Sequence, residues 1–234
     1  SVGTHAQNQT LYKKPAYNSV TEFTPVALVA ETPIVIITKK NLPAKNLQEF
    51  IAYAKANQSK MSYGSAGAGS ATHLGCVVAN SVMGTDIVHV PYKGTGPAMQ
   101  DLLAGQIDFL CEILNTAKPQ IDGGKVNAVA IMTKQRSPAL PNVPTALEQG
   151  VKGMEAYTWS AVFLPKGAPA NVVKTLNDAI VQSMNTPSVK EHLARLGAEV
   201  VTNDRATSAY LGQFLKDEIA KWAEPIKKSG ISID

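Results

Sequence analysis

Cysteine is scarce in this chain, two residues in 234, and charged residues make up only 17% of it. The two cysteines, Cys76 and Cys111, lie 35 positions apart with no CxxC pair. That excludes a disulfide-dense scaffold, a zinc knuckle and a thioredoxin-type motif. Low charge with 44% hydrophobic residues also excludes a disordered chain or a coiled coil. No apolar run approaches the roughly 20 residues of a membrane helix; Ile34-Val35-Ile36-Ile37 is strand-sized, and no direct membrane insertion is expected. Charge of one sign is never concentrated. Twenty-two Lys and Arg face eighteen Asp and Glu, a formal charge of +4, in runs no longer than pairs such as Lys39-Lys40. A nucleic-acid stripe is therefore absent, while the mild positive balance suits small anions.

Catalytic and cofactor signatures are missing as well. His5, His73, His89 and His192 are scattered and HExxH is absent, so no metal site is expected. No GxSxG elbow exists. The stretch Gly67-Ala68-Gly69 lacks a Walker lysine, and a dinucleotide fingerprint would need Gly or Ala at Thr72. No cofactor is expected.

What is present is an alternation of strand and helix signals, which predicts an α/β protein with largely parallel sheets. Pro25 to Thr38 reads as two strand segments broken at Glu31-Thr32-Pro33, because proline cannot donate to a central ladder. A helix over Asn46–Ala56 precedes a short strand at Met61–Tyr63. The helix after Ser70 is expected to bury Leu74, Val77, Val78 and Val82. Strands follow at Ile87–Val90, Ile107–Ile113, Val126–Met132 and Tyr157–Leu164, separated by helices at Ala98–Ala104 and Thr116–Ile121. Helices at Ala170–Met184, Ser188–Leu196 and Ala206–Lys228 close the chain, with a small strand at Glu199–Val201. In the last helix Leu211, Phe214, Leu215, Ile219, Trp222 and Ile226 form one apolar stripe. Cys76 falls on a helix and Cys111 inside a strand, a pairing that rarely brings Cα atoms to ~5.5 Å. Two buried free thiols are the expectation, with a disulfide left open in an oxidising compartment. The opening Ser1-Val2-Gly3-Thr4-His5 reads as a strand end running into a loop, without a leader.

Two glycine-bearing loops carry the strongest local signal. Gly64 to Ser70 follows a strand and opens a helix, with Ser70 as N-cap and Thr72 and His73 in the first turn. Tyr92-Lys93-Gly94-Thr95-Gly96-Pro97 repeats the arrangement. Helix N-termini offer N–H groups and a favourable dipole to an anion, and strand C-terminal ends are the ligand side of an open α/β sheet. Together the loops can clamp a carboxylate with backbone groups; Lys93 reads as an exposed lysine. Glu112, at the end of the next strand, is placed to accept a hydrogen bond from a ligand.

These blocks resemble the Bug/TctC solute-binding proteins. The resemblance lies in Tyr63-Gly64-Ser65-Ala66-Gly67-Ala68-Gly69-Ser70-Ala71-Thr72-His73-Leu74, Val90-Pro91-Tyr92-Lys93-Gly94-Thr95-Gly96-Pro97-Ala98, Leu140-Pro141-Asn142-Val143-Pro144-Thr145 and Trp159-Ser160-Ala161-Val162-Phe163-Leu164-Pro165. It runs in order from Gly3 to the C-terminus. It implies a two-lobed type II periplasmic-binding-protein-like fold, with residues 1–31 and 158–234 in the first lobe and 32–157 in the second. It implies a periplasmic receptor, not an enzyme, that captures a small carboxylate in the interlobe cleft for the membrane subunits of a tripartite tricarboxylate transporter. The ligand residues it implies are Thr4, His5, Ser65, Ala66, Gly69, Ser70, Thr72, Gly94 and Thr95, to which Glu112 is added. The helix starting near Ser70 is expected to aim its N-terminus into that cleft.

Two departures stand out. Many relatives carry Asp where this chain has Glu112. The family also begins with a strand, glycine loop and helix that would precede Ser1, so the resemblance implies that residues 1–234 alone leave the first lobe incomplete. The alternatives are a ligand-sensing module for a signalling partner, or a hydrolase using Ser70 and His73.

Overall fold

Seventeen consecutive residues, Phe23–Lys39, form one extended strand, β1, that contributes to both compact units of the molecule. The computed structural model describes residues 1–233, without the Lys228 side chain. One unit comprises Ser1–Glu31 with Thr158–Asp234, and the other Thr32–Tyr157. The expected break at Glu31-Thr32-Pro33 is a change of pairing and not of extension. Ala30 and Glu31 pair with β7 (Glu199–Val200), whereas Ile34 to Thr38 pair with β4 (Phe109–Ile113). Pro33, which has no N–H to give, falls between these two paired stretches.

In the second unit β1 is followed by α2 (Leu47–Asn57), β2 (Ser62–Ser65), α3 (Ala71–Met83), β3 (Val88–Pro91) and α4 (Thr95–Leu103). After β4 come α5 (Leu114–Asp122) and β5 (Val126–Ile131). The strand order is β3-β2-β4-β1-β5. Neighbours β2 and β3, and β2 and β4, are parallel, but β1 is antiparallel to both β4 and β5. The sheet is thus mixed, where the alternating pattern predicted a largely parallel one. Strands β2 to β5 are joined by helical crossovers and run the same way. Strand β1 is also followed by a helix, α2, yet lies between β4 and β5 and runs against both.

The pairing register separates the two faces of this sheet. Val35, Ile37 and Leu110 point to a core with Ala98, Met99 and Leu102 of α4 and Leu114 and Ala117 of α5. Residues of the opposite parity, Ile34, Ile36 and Cys111, belong to the other face, where α3 lies. Gly75 of α3 makes this approach close: a Cβ there would sit 3.3 Å from Cys111 Cβ and 3.3 Å from Ile34 Cδ1. Cys76 and Cys111 consequently stand 5.3 Å apart at Cα and form a disulfide, which corrects the expectation of free thiols. Helix α3 is also rotated from its predicted stripe. Leu74, Cys76, Val78, Ala79 and Met83 are buried, while Val82 is exposed. A 13-residue helix that packs tightly on a sheet buries more than a four-residue stripe.

The first unit holds the N-terminal part of β1, β6 (Tyr157–Pro165) and β7, with α6 (Ala170–Met184), α7 (Pro187–Arg195) and α8 (Ser208–Ser229). Ser1 to His5, read as a strand end running into a loop, instead leads into a π-helical turn, Gly3–Gln7, continued by α1 (Asn8–Leu11). This segment packs on α8 and is pinned by the Tyr12–Ile233 bridge. The last helix buries Leu211, Phe214, Leu215, Trp222 and Ile226 as its stripe requires, and it buries Glu218 with them. Arg205 holds Glu31 through two bonds of 2.9 and 2.6 Å, a fork that fixes the end of this unit's part of β1. Among the described residues no helix is long and apolar enough to cross a membrane.

Candidate functional site

Parallel pairing puts the ends of β2 and β3 side by side: Ser65 lies opposite Pro91, and Tyr92 N–H donates to Ser65 O at 3.1 Å. The two glycine-bearing loops therefore leave the sheet at one edge. Gly67, at φ +122°, lies against the second loop, where an added Cβ would be 3.2 Å from Tyr92 O. Strand β4, parallel to β2, ends at Ile113 on the same edge, which is the carboxyl end of three parallel strands.

The first loop is held by bonds from its own amides. Ala66 N–H donates to Thr72 Oγ1 at 2.9 Å, Gly67 N–H to Ser65 Oγ at 3.1 Å and Gly69 N–H to His73 Nδ1 at 2.9 Å. Ser70 is the N-cap of α3, accepting from His73 N–H at 3.2 Å, and its Oγ lies 3.0 Å from Thr72 Oγ1. Among the described residues, the first-turn amides of Ala71 and Thr72 have no acceptor. At the head of α4, Gly94 is the N-cap at φ +111° with no side-chain cap, so Thr95 and Gly96 likewise offer their amides. The structure thus brings Ser65, Ala66, Gly69, Ser70, Thr72, Gly94 and Thr95 to one edge. It assigns Ala66 and Gly69 to loop architecture, because their amides are already bonded.

Glu112 is buried; its Oε1 accepts from Thr116 Oγ1 at 2.6 Å and Ile113 N–H at 2.9 Å, tying β4 to α5. Burial pushes its carboxyl pKa up against these two bonds. Thr4 and His5 lie in the other unit, on the π-helical turn. Thr4 O accepts from Tyr17 Oη at 2.7 Å, and the His5 ring stacks on Phe163 at 4.3 Å and meets Phe23 edge-on at 5.1 Å. Ser70 Oγ makes no bond to an imidazole among the described residues, and the His73 acceptor is occupied by Gly69. Ser70 and His73 therefore do not form a nucleophile–base pair.

The sequence reading missed His89 and Tyr63 as parts of this site. His73 and His89 rings stack at 3.7 Å with 9° between planes, and Tyr63 lies 5.0 Å from His89 on the same stack. His89 Nε2 is 2.7 Å from Ser65 Oγ. The pairing of Tyr63 with His89 across β2 and β3 was the signal, legible only once the two strands were known to be neighbours. Burial, and then the neighbouring His89, lower the His73 pKa from 6.5 to about 4; burial lowers that of His89 as well. Both rings are neutral at pH 7. The Gly69 bond places the His73 proton on Nε2.

The unfolded chain takes up this His73 proton near pH 6.5 and the folded chain only near pH 4. Between those values the unfolded state binds more protons, so unfolding free energy falls as pH is lowered through the window and levels off below it. Urea denaturation of the wild type and of His73→Asn should show the wild type losing more across it; parallel slopes would contradict this assignment. Among the described residues no group of His, Cys, Asp and Glu could hold a metal ion.

With this geometry in place, comparison with known proteins is informative. The family model described as "Tripartite tricarboxylate transporter family receptor" matches residues 2–231. The UPF0065 protein of the TAR-I ttuE-ttuC' intergenic region of Agrobacterium vitis is 37% identical over 220 residues, covering 94% of this chain. The chain spans 64% of that relative, just under two thirds of its length. Among solved structures, MatC of Rhodopseudomonas palustris with bound malate is 35% identical at a TM-score of 0.85, with 96% of this chain and 76% of that one covered. The periplasmic binding protein BugD is 37% identical at a TM-score of 0.86, with 99% and 77% covered. The matched span and the α/β fold agree: the chain belongs to the Bug/TctC family, whose model is that of a tripartite tricarboxylate transporter family receptor.

Proposed function

We propose that this chain is a periplasmic receptor that captures a small dicarboxylate and presents it to the membrane subunits of a tripartite transporter. The observation that carries the reading is the pair of uncompensated helix N-termini, α3 and α4, at one edge of parallel strands. Backbone amides and helix dipoles there suit one carboxylate without a paired side-chain cation. MatC with malate supports the ligand class, and the name of BugD supports the compartment. In this reading Ser70 and Thr72 shape the pocket wall, and Gly94 and Thr95 supply the second helix start. Thr4 and His5 lie in the other unit, on its π-helical turn and beside its aromatic cluster.

Calorimetry with malate, succinate, adipate and citrate, alongside an ester-hydrolysis assay, tests it. Binding of at least one acid without turnover is expected; no binding by any, or hydrolysis, would overturn it. The same measurement ranks two variants. Lys93→Ala should weaken binding by no more than about 1 kcal/mol, as for an exposed charge. Gly94→Val should cost more, about tenfold or greater in affinity, because φ +111° strains any side chain. Space around a Cβ at Gly94 is open within the protein, so the cost to the fold is one of backbone strain.

A further inference from the structure

A loop built of glycine, alanine and serine has little side-chain mass with which to hold its own shape. Gly64 to Ser70 is held by a set of short bonds, and two paths among them lead to imidazoles: Gly69 N–H directly to His73 Nδ1, and Gly67 N–H through Ser65 Oγ to His89 Nε2. The rings that terminate these bonds are stacked on one another and, with Tyr63, form a plate behind the loop in which Tyr63 and His73 are buried and His89 half-buried. We propose that His73 is the positioning residue of the anion-binding loop, its neutral ring holding the Gly69 amide so that the head of α3 keeps its amides turned to the ligand, with stacked His89 steadying Ser65. This rests on the carboxylate reading of the site and adds to it a named residue and a pH limit.

The chemistry separates this role from packing. A phenyl ring fills the same plate, but only a neutral imidazole accepts a hydrogen bond at the Nδ1 position. A protonated ring has two N–H groups and no acceptor, so the Gly69 amide would face another donor. Nothing around the pair offsets such a charge. Tyr63 on β2 and His89 on β3 are the titratable groups facing His73. Asp86 acts on Tyr63, and Phe109 on β4 closes the stack against Tyr63 at 5.4 Å. Among the described residues no carboxylate bonds to either imidazole. Glu112 is of the opposite parity to Cys111 on β4, and so lies on the other face of the sheet from α3.

The test uses two variants and two readouts. His73→Phe keeps the plate and deletes the acceptor; His73→Asn restores an acceptor, Oδ1, that does not titrate. Hydrogen exchange of the Gly69 amide is measured by NMR, and malate affinity by calorimetry from neutral pH downwards. The ratio of wild type to His73→Asn cancels malate's own protonation. At neutral pH, His73→Phe should speed Gly69 exchange and weaken malate about tenfold, and His73→Asn should return both to near wild type. As pH falls towards about 4, the wild type should lose affinity and Gly69 protection that His73→Asn keeps. A folded His73→Phe with unchanged Gly69 exchange, or a pH-independent ratio, overturns the proposal. If His73→Phe does not fold, the pH comparison of wild type with His73→Asn decides it. If malate and the other acids fail to bind while Gly69 exchange follows the expected order, the carboxylate reading falls and the positioning of the loop by His73 stands.

Discussion

Reducing the Cys76–Cys111 disulfide should lower the stability of the second unit by about 4 kcal/mol. The figure follows from the 35-residue separation of the two cysteines, because a cross-link removes loop-closure entropy from the unfolded chain. The bond joins α3, whose head carries the glycine loop, to the sheet at β4. Its loss should therefore loosen the ligand edge before the rest of the unit. Denaturant unfolding with and without reductant measures the effect, and Cys76→Ala with Cys111→Ala reproduces it without reductant. A difference below about 1 kcal/mol would contradict the expectation. So would labelling of two thiols in denaturant with no reductant added. A disulfide also fits a protein that works outside the reducing cytoplasm, in agreement with the proposed compartment.

Glu218→Ala should cost about 3 kcal/mol, in the other unit. Glu218 is 3% exposed in α8 and accepts the indole N–H of Trp159 at 2.9 Å and of Trp222 at 3.3 Å. Both tryptophans are themselves 1% exposed. Truncation leaves two buried donors without this acceptor, each costing about 1–3 kcal/mol, and removes bonds strengthened by the carboxylate charge. Glu218→Gln retains a carbonyl acceptor and should lose roughly half as much. The chain has only these two tryptophans, so fluorescence-detected urea unfolding reports on the residues concerned. A loss under about 1 kcal/mol for Glu218→Ala would show that the indoles find other acceptors.

The same helix shows how far pattern reading reaches. Leu211, Phe214, Leu215, Trp222 and Ile226 announce a buried stripe by spacing alone, because one face of a helix must meet the core. Glu218 sits within that stripe and reads as part of the charged face. Only the meeting of α8 with Trp159, 59 positions earlier, turns it into a buried acceptor. Glu112 behaves alike: its place at a strand end was legible, but its engagement by Thr116 and Ile113 was not.

The sequence by itself determined the α/β alternation, the N-cap Ser70, and the two glycine loops at strand ends. These are local matters of hydrogen-bonding residues, backbone permissiveness and apolar period, and they act within a few residues of chain. Tertiary structure alone decided three others: the antiparallel insertion of β1, the disulfide that Gly75 makes reachable, and the His73–His89 stack behind the loop. Each depends on which strand lies beside which and how closely a helix settles on a sheet. Such long-range packing is set by the sum of many weak contacts, and no single stretch of sequence encodes it.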